Sequence, residues 1–112
     1  MRLSQVREIL NAQVLTGDEY LDMEVKSACG CDLMSDVLAF VKDQGLLLTG
    51  LVNPQVVRTA EMMDIRVIIF VRGKAPEGEM LKLAKDKEMV LFTTAYPLYT
   101  ACGLLYSAGL RG

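Results

Sequence analysis

Three polar sets placed after apolar stretches are the residues of this chain with chemistry to offer. Asp32 and Ser35 come after an alternating stretch from Met23 to Ser27; Thr49, Gly50 and Asn53 follow Leu46, Leu47 and Leu48; Thr93 and Thr94 follow Val90, Leu91 and Phe92. Hydroxyls, a glycine and the free amides of a helix start suit a phosphate or carboxylate group. No set pairs a nucleophile with a base or an orienting partner, so the chemistry on offer is binding without turnover. Each of these residues taken singly also serves as an ordinary cap or turn former, and convergence is what would make a site. The expected binding set is Asp32, Ser35, Thr49, Gly50, Asn53 and Thr94.

Several other chemistries are excluded. The chain has no histidine, which removes the commonest general base and metal ligand and with them the usual serine and cysteine triads. Arg72-Gly73-Lys74 invites comparison with a phosphate-binding P-loop, but Ile68 stands where glycine is required and Ala75 where a hydroxyl is required. No GxGxxG dinucleotide fingerprint occurs. Cys29, Cys31 and Cys102 are a poor zinc set, because structural zinc wants four ligands and more than one residue between paired cysteines. They read as two small residues at a crowded turn and one buried thiol in a helix, so neither metal nor cofactor is expected.

Composition bounds the remaining classes. At 112 residues, 52% apolar and 23% charged, the sequence reads as one globular domain over 1–112. No apolar run approaches the roughly 20 residues of a membrane span. The net charge of −2, from 12 basic and 14 acidic residues, gives no footprint for nucleic acid. Lys82, Lys85 and Lys87 cluster, but Glu79, Asp86 and Glu88 interleave with them as on a solvated helix face. The opening MRLSQVREIL lacks a signal-peptide core, and three cysteines without a secretory signal suit reduced thiols. The expectation is a soluble cytoplasmic protein with neither nucleic-acid nor membrane partners.

The elements that must position the polar sets are legible from periodicity. Leu3, Val6 and Leu10 mark a short helix with Ser4 as its cap and Asn11 as its stop. Gln13 to Leu15 is a short strand closed by Thr16-Gly17, and Asp18-Glu19 is an acidic turn. Met23, Val25 and Ser27 alternate with Glu24 and Lys26, the period of a half-exposed strand near a sheet edge. Gly30 permits a tight turn into a helix capped by Asp32, striped by Leu33, Val37, Leu38 and Val41, and stopped at Gly45.

From Gly45 to Phe70 the pattern is strand, helix, strand, with Asn53 as N-cap and Pro54 at the first helical position. VRGKAPEGE is an exposed loop, followed by a helix through Leu81 and Ala84 and a strand from Met89 to Phe92. The helix of Ala60 with the strand Val67–Ile69 is echoed by the helix of Ala84 with the strand Val90–Phe92, which predicts a mostly parallel sheet. The polar sets then fall at one end of the sheet, where ligands bind in the crevice outside the strand carboxyl ends. A last helix, about Pro97 to Ala108, is apolar almost all round, with Leu98, Ala101, Cys102 and Leu105 on one face and Tyr99, Gly103 and Tyr106 on another. That pattern predicts a homodimer contact involving Tyr99, Leu105 and Tyr106.

Over nearly its full length, through DLMSDVLAFV, GLLLTGL and VLFTTAYPLYTACGLL, the chain resembles the DRTGG domain family, itself similar to the amino-terminal domain of HPr kinase/phosphorylase. The resemblance implies a compact α/β domain. It also implies a regulatory or ligand-sensing module, with no established catalytic activity, found alone or joined to CBS domains, as in some family II pyrophosphatases, or to phosphotransacetylases. The DRTGG string itself is absent; Thr49-Gly50-Leu51 keeps its Thr-Gly and lacks the second glycine. Related domains tend to carry Asp-Thr before an aromatic where this chain has Pro97-Leu98 before Tyr99. Kinase activity in the HPr enzymes belongs to a separate P-loop domain.

The leading reading is therefore a non-catalytic, dimeric regulatory domain that binds a small anionic metabolite or nucleotide at the strand carboxyl ends. The rival is an interaction module whose final helix docks on a partner enzyme or sensor kinase with no ligand. A small enzyme using Asp32 or Cys31 ranks last, because neither has a visible base.

Overall fold

The structure, a computed structural model, describes residues 1–40 and 45–112, and the side chains of all of these but 38–40. Leu46, Leu47 and Leu48 lie in strand β3 (Gly45–Thr49), and Val67 to Phe70 make β4 (Val67–Phe70). Every residue of both strands is buried. Strands covered on both faces read as continuous apolar runs, which is why these two stand out in the sequence.

Around them, in chain order, are α1 (Leu3–Leu10), β1 (Gln13–Thr16), a 3-10 turn (Asp18–Tyr20), β2 (Ser27–Gly30) and α2 (Met34–Phe40). After β3 come α3 (Pro54–Met62), β4, α4 (Glu79–Asp86), β5 (Val90–Thr93) and α5 (Leu98–Ser107). The five strands are ordered β1-β5-β4-β3-β2. β2 to β5 are parallel neighbours, and β1 pairs antiparallel with β5 with an irregularity between Val14 and Thr16. The chain thus folds as a single α/β domain with a mostly parallel sheet.

Alternation along the strands builds two cores. Leu47, Ile68, Phe70 and Leu91 face Val37 of α2, Val56, Val57 and Ala60 of α3, and Met80 and Ala84 of α4. Leu46, Leu48, Val67, Ile69, Val90 and Phe92 face Leu3, Val6 and Leu10 of α1 and Ala101 and Leu105 of α5. Three consecutive crossover helices, α2 to α4, therefore share one face of the sheet, and the chain returns to the face of α1 after β5. A crevice opens at strand carboxyl ends where neighbouring strands send their connections to opposite faces. Here that condition is met between β4, which leads into α4, and β5, which leads into α5.

The internal echo is a repeated helix ending. After α3, Asp64 is left-handed (φ 56°), its N–H donates to the Glu61 carbonyl, and the Ile65 N–H donates to the Ala60 carbonyl at 2.8 Å. After α4, Glu88 is left-handed (φ 56°), its N–H donates to the Lys85 carbonyl, and the Met89 N–H donates to the Ala84 carbonyl at 2.9 Å. Both are Schellman closures, with buried Ile65 and Met89 entering the next strand.

Several local expectations are corrected. Helix α1 is capped at Arg2, whose backbone N–H donates to Gln5 Oε1 at 3.0 Å, and Ser4 lies inside the helix. The alternating burial of Met23 to Ser27 is present, but only Glu24 bridges, to Arg2, and the edge strand itself is Ser27–Gly30. Gly45 is the first residue of β3, and the end of the helix before it lies outside the described residues. The expected stripe residues Leu38 and Val41 lie outside the described residues and side chains.

Candidate functional site

The three polar sets do lie at one end of the sheet, after β2, β3 and β5, but they do different things there. Asp32 Oδ1 accepts from the Thr49 hydroxyl at 2.9 Å and from the Gly50 N–H at 2.7 Å. This corrects the expected helix cap: the carboxylate ties the β2 end to the β3 end. Thr49 is fully buried, and its Oγ1 also accepts from the Leu51 N–H at 3.1 Å. The absent second glycine is thus the place where the loop turns onto Thr49, and Thr49 and Gly50 offer their donors inward. Asn53 Oδ1 accepts from the Val56 N–H at 3.3 Å and caps α3, as its pairing with Pro54 predicts. Ser35 is exposed on α2.

Thr94 separates from the set. It is 2% exposed, and its hydroxyl donates at 2.7 Å to the Leu10 carbonyl at the end of α1. That bond fastens the β5 end to the helix on the far face, so Thr94 is a structural anchor and presents no donor to a ligand. Asp32, Thr49 and Gly50 converge by direct hydrogen bonds; Thr94 does not join them.

The residues that dominate the electrostatics of this end were passed over in the sequence, where Arg72-Gly73-Lys74 is measured only against a P-loop. Lys74 Nζ donates to the Gly50 carbonyl at 3.0 Å. Arg72 lies on the same glycine: a Cβ at Gly50 would come within 2.9 Å of a guanidinium nitrogen. Gly50 is therefore held between the Asp32 carboxylate on its N–H and the Lys74 ammonium on its carbonyl, with Arg72 above. Among the described residues the one ion pair is Lys87 with Glu61, so none of their carboxylates pairs with Arg72 or Lys74.

The loop carrying these cations is fastened to the β5 end. The Arg72 N–H donates to the Tyr96 carbonyl at 2.9 Å, the Gly73 N–H to the Thr94 carbonyl at 2.8 Å, and the Thr93 hydroxyl to the Lys74 carbonyl at 2.6 Å. Arg72 pays for its position in backbone conformation, with φ at 58°. The other non-glycine residues with positive φ among the described residues, Asn11, Asp64 and Glu88, each end a helix, where such a conformation is routine. Arg72 ends none, and a left-handed arginine costs on the order of 1–2 kcal/mol. The signal available in the sequence was two cations directly after a buried strand.

The cysteines occupy a crowded corner. A Cβ at Gly30 would overlap Cys102 Sγ and touch Leu98 Cδ1 at 3.4 Å, so glycine lets α5 lie on the end of β2. Burial raises the Cys29 thiol pKa, with Cys31 and Asp36 adding to it; burial also raises that of Cys102, with Cys29 adding. Both are held in the protonated form. Cys31 Sγ donates to the Leu33 carbonyl at 3.2 Å and accepts from the Leu33 N–H at 3.3 Å. Among the described residues no three cysteine or carboxylate side chains gather as a metal site. Gly30→Ala is expected to cost about 1–2 kcal/mol by overpacking. Urea unfolding of Gly30→Ala in a Cys102→Ala background should show less than half that cost; equal costs in both backgrounds would remove Cys102 as the cause.

The fold has a counterpart among solved structures. The chain superposes, over 93% of its length and 45% of the other chain, on the CBS and DRTGG domains of the regulatory region of a Clostridium perfringens pyrophosphatase, with a TM-score of 0.76 and 18% identity. The two share a fold. That structure was determined in complex with an activator, diadenosine tetraphosphate. The present chain spans less than half the length of its counterpart. No protein-family model matches the chain, and no curated protein matches it. No helix among the described residues is long and apolar enough to cross a membrane.

Proposed function

We propose that this chain is a DRTGG-type regulatory domain that binds a small anionic metabolite or nucleotide, without catalysis, at the carboxyl end of its sheet. The observation that carries the reading is the pair of cations Arg72 and Lys74, without an ion-pair partner among the described residues, converging on Gly50 beside the change of face between β4 and β5. Asp32, Thr49 and Gly50 support the site by fixing the β3 turn beneath those cations, and Asn53 starts a helix at its margin. The candidate nucleophiles and acids are committed to structural bonds, Cys31 to Leu33 and Asp32 to Thr49 and Gly50. Binding of a nucleotide activator by the regulatory region of similar fold is consistent with a sensing role.

A thermal-shift panel of nucleotides and phosphorylated metabolites tests this. A compound at 100 times its Kd contributes about 2.7 kcal/mol, which raises Tm by roughly 10 °C in a domain of this size. The shift should vanish in Arg72→Ala and persist in the exposed control Lys85→Ala. Silence across the panel, with the protein folded, defeats the reading.

A second reading, association through the outer face of α5, has its own observation. Tyr99 is 90% exposed and Tyr106 55% exposed, on a helix whose ten residues carry no charge. Gly103 lies between them with open space where a side chain would stand, and Arg111 covers one side of the Tyr106 ring. The helix itself brings no charge to a contact with a second copy, and Arg111 is the cation at its margin. Sedimentation at micromolar concentration should show a dimer that Tyr99→Glu converts to monomer without loss of helicity; a wild-type monomer ends the homodimer reading and leaves docking on a partner enzyme or sensor kinase to a pull-down with the same variant.

A further inference from the structure

The change of face between β4 and β5 also says what kind of anion this end of the sheet would take. Two features beyond charge meet there. The first is the convergence of the cations: Lys74 reaches back to the Gly50 carbonyl, and the Arg72 guanidinium lies over the same residue. Both are borne on one loop, 71–78, which is fastened by three hydrogen bonds to residues 93–96. The second is exposed apolar surface on the loops that flank them. Of the large apolar residues with substantial exposure, Leu33 (58%), Val52 (36%) and Tyr96 (37%) all belong to the loops after β2, β3 and β5 at this end. Tyr96 is joined directly to Arg72, whose N–H donates to the Tyr96 carbonyl.

We propose that this site binds a nucleoside diphosphate or triphosphate, with its phosphates on Arg72 and Lys74 and its base on Tyr96 and the neighbouring apolar rim. The proposal rests on the anion-binding reading above and narrows it. Two cations on one short loop suit adjoining phosphates better than a single carboxylate. An exposed aromatic side chain beside them supplies a stacking surface that a phosphorylated sugar or free pyrophosphate does not use. Lys74 would exchange the Gly50 carbonyl for a phosphate oxygen, while Asp32 keeps the Gly50 N–H in place and disfavours anions lying closer to β2.

Isothermal titration of the full chain with ADP, ATP, AMP, adenosine and inorganic pyrophosphate separates the outcomes. The expected result is at least tenfold tighter binding of ADP or ATP than of AMP or pyrophosphate, and no binding of adenosine. Arg72→Ala and Lys74→Ala should each weaken ADP binding tenfold or more. Tyr96→Ala should reduce ADP affinity to that of pyrophosphate while leaving pyrophosphate unchanged, a split that a general loss of structure would not produce. Gly50→Ala, which pushes the guanidinium away from its seat, should weaken both compounds. If pyrophosphate binds as well as ADP and Tyr96→Ala is silent, the nucleoside assignment falls and the anion site stands. If none of the five compounds binds but another phosphorylated metabolite does in an Arg72-dependent way, the nucleoside assignment again falls alone. If nothing anionic binds to folded protein, both fall.

Discussion

Leu105→Asp should leave no folded domain at 25 °C. Leu105 is 1% exposed in the core shared by α1, α5 and the strands, although its helix reads as apolar on every side. Removing a buried leucine costs about 2–5 kcal/mol, and placing a carboxylate there adds several more unless the chain opens to hydrate it. The sum reaches the whole stability of an ordinary domain, about 5–15 kcal/mol. Far-UV circular dichroism and a urea titration check it, with Tyr106→Asp, one residue along on the outer face, expected to stay within about 1 kcal/mol of wild type. A cooperative Leu105→Asp transition near the wild-type midpoint would place Leu105 outside the core. The burial also corrects the expected interface: Leu105 is closed to a partner, and Tyr99 and Tyr106 are the residues of that set with exposed surface. Loss of a pull-down on Leu105→Asp would report unfolding, so association is tested at the tyrosines.

The second large effect is expected at Asp32. Asp32→Ala deprives the buried Thr49 hydroxyl and the buried Gly50 N–H of one shared acceptor. Hydrogen bonds to a charged group contribute about 1.5–3 kcal/mol, and the orphaned donors lie against the β3 end, so a loss of about 2–3 kcal/mol is expected. Asp32→Asn keeps a carbonyl acceptor at the same place and should lose about half as much. Urea midpoints for the pair decide it, and a loss below about 0.5 kcal/mol in Asp32→Ala would mean water replaces the carboxylate. Thr49→Val belongs to the same network. Its hydroxyl is buried, so a change in ligand response on that substitution would reflect a disturbed turn beneath Arg72 and Lys74.

What the sequence determined alone was whatever depends on neighbours within a few residues. Periodicity marked the helices and every strand but β2, Asn53-Pro54 announced the start of α3, and the paired Ala60 and Ala84 segments announced two helix-strand units of a mostly parallel sheet. Those features follow from backbone hydrogen bonds and side-chain burial that repeat every two to four residues. Tertiary structure decided which way each polar group turned. Asp32 and Thr94 both look like local caps or turn residues, yet their partners lie 17–18 and 84 residues away. Arg72 and Lys74 gain meaning only because β4 and β5 send their helices to opposite faces and bring the loop over Gly50. A local pattern fixes which groups need a partner, and only the packing of the sheet settles whether that need is met inside the protein or left facing a ligand.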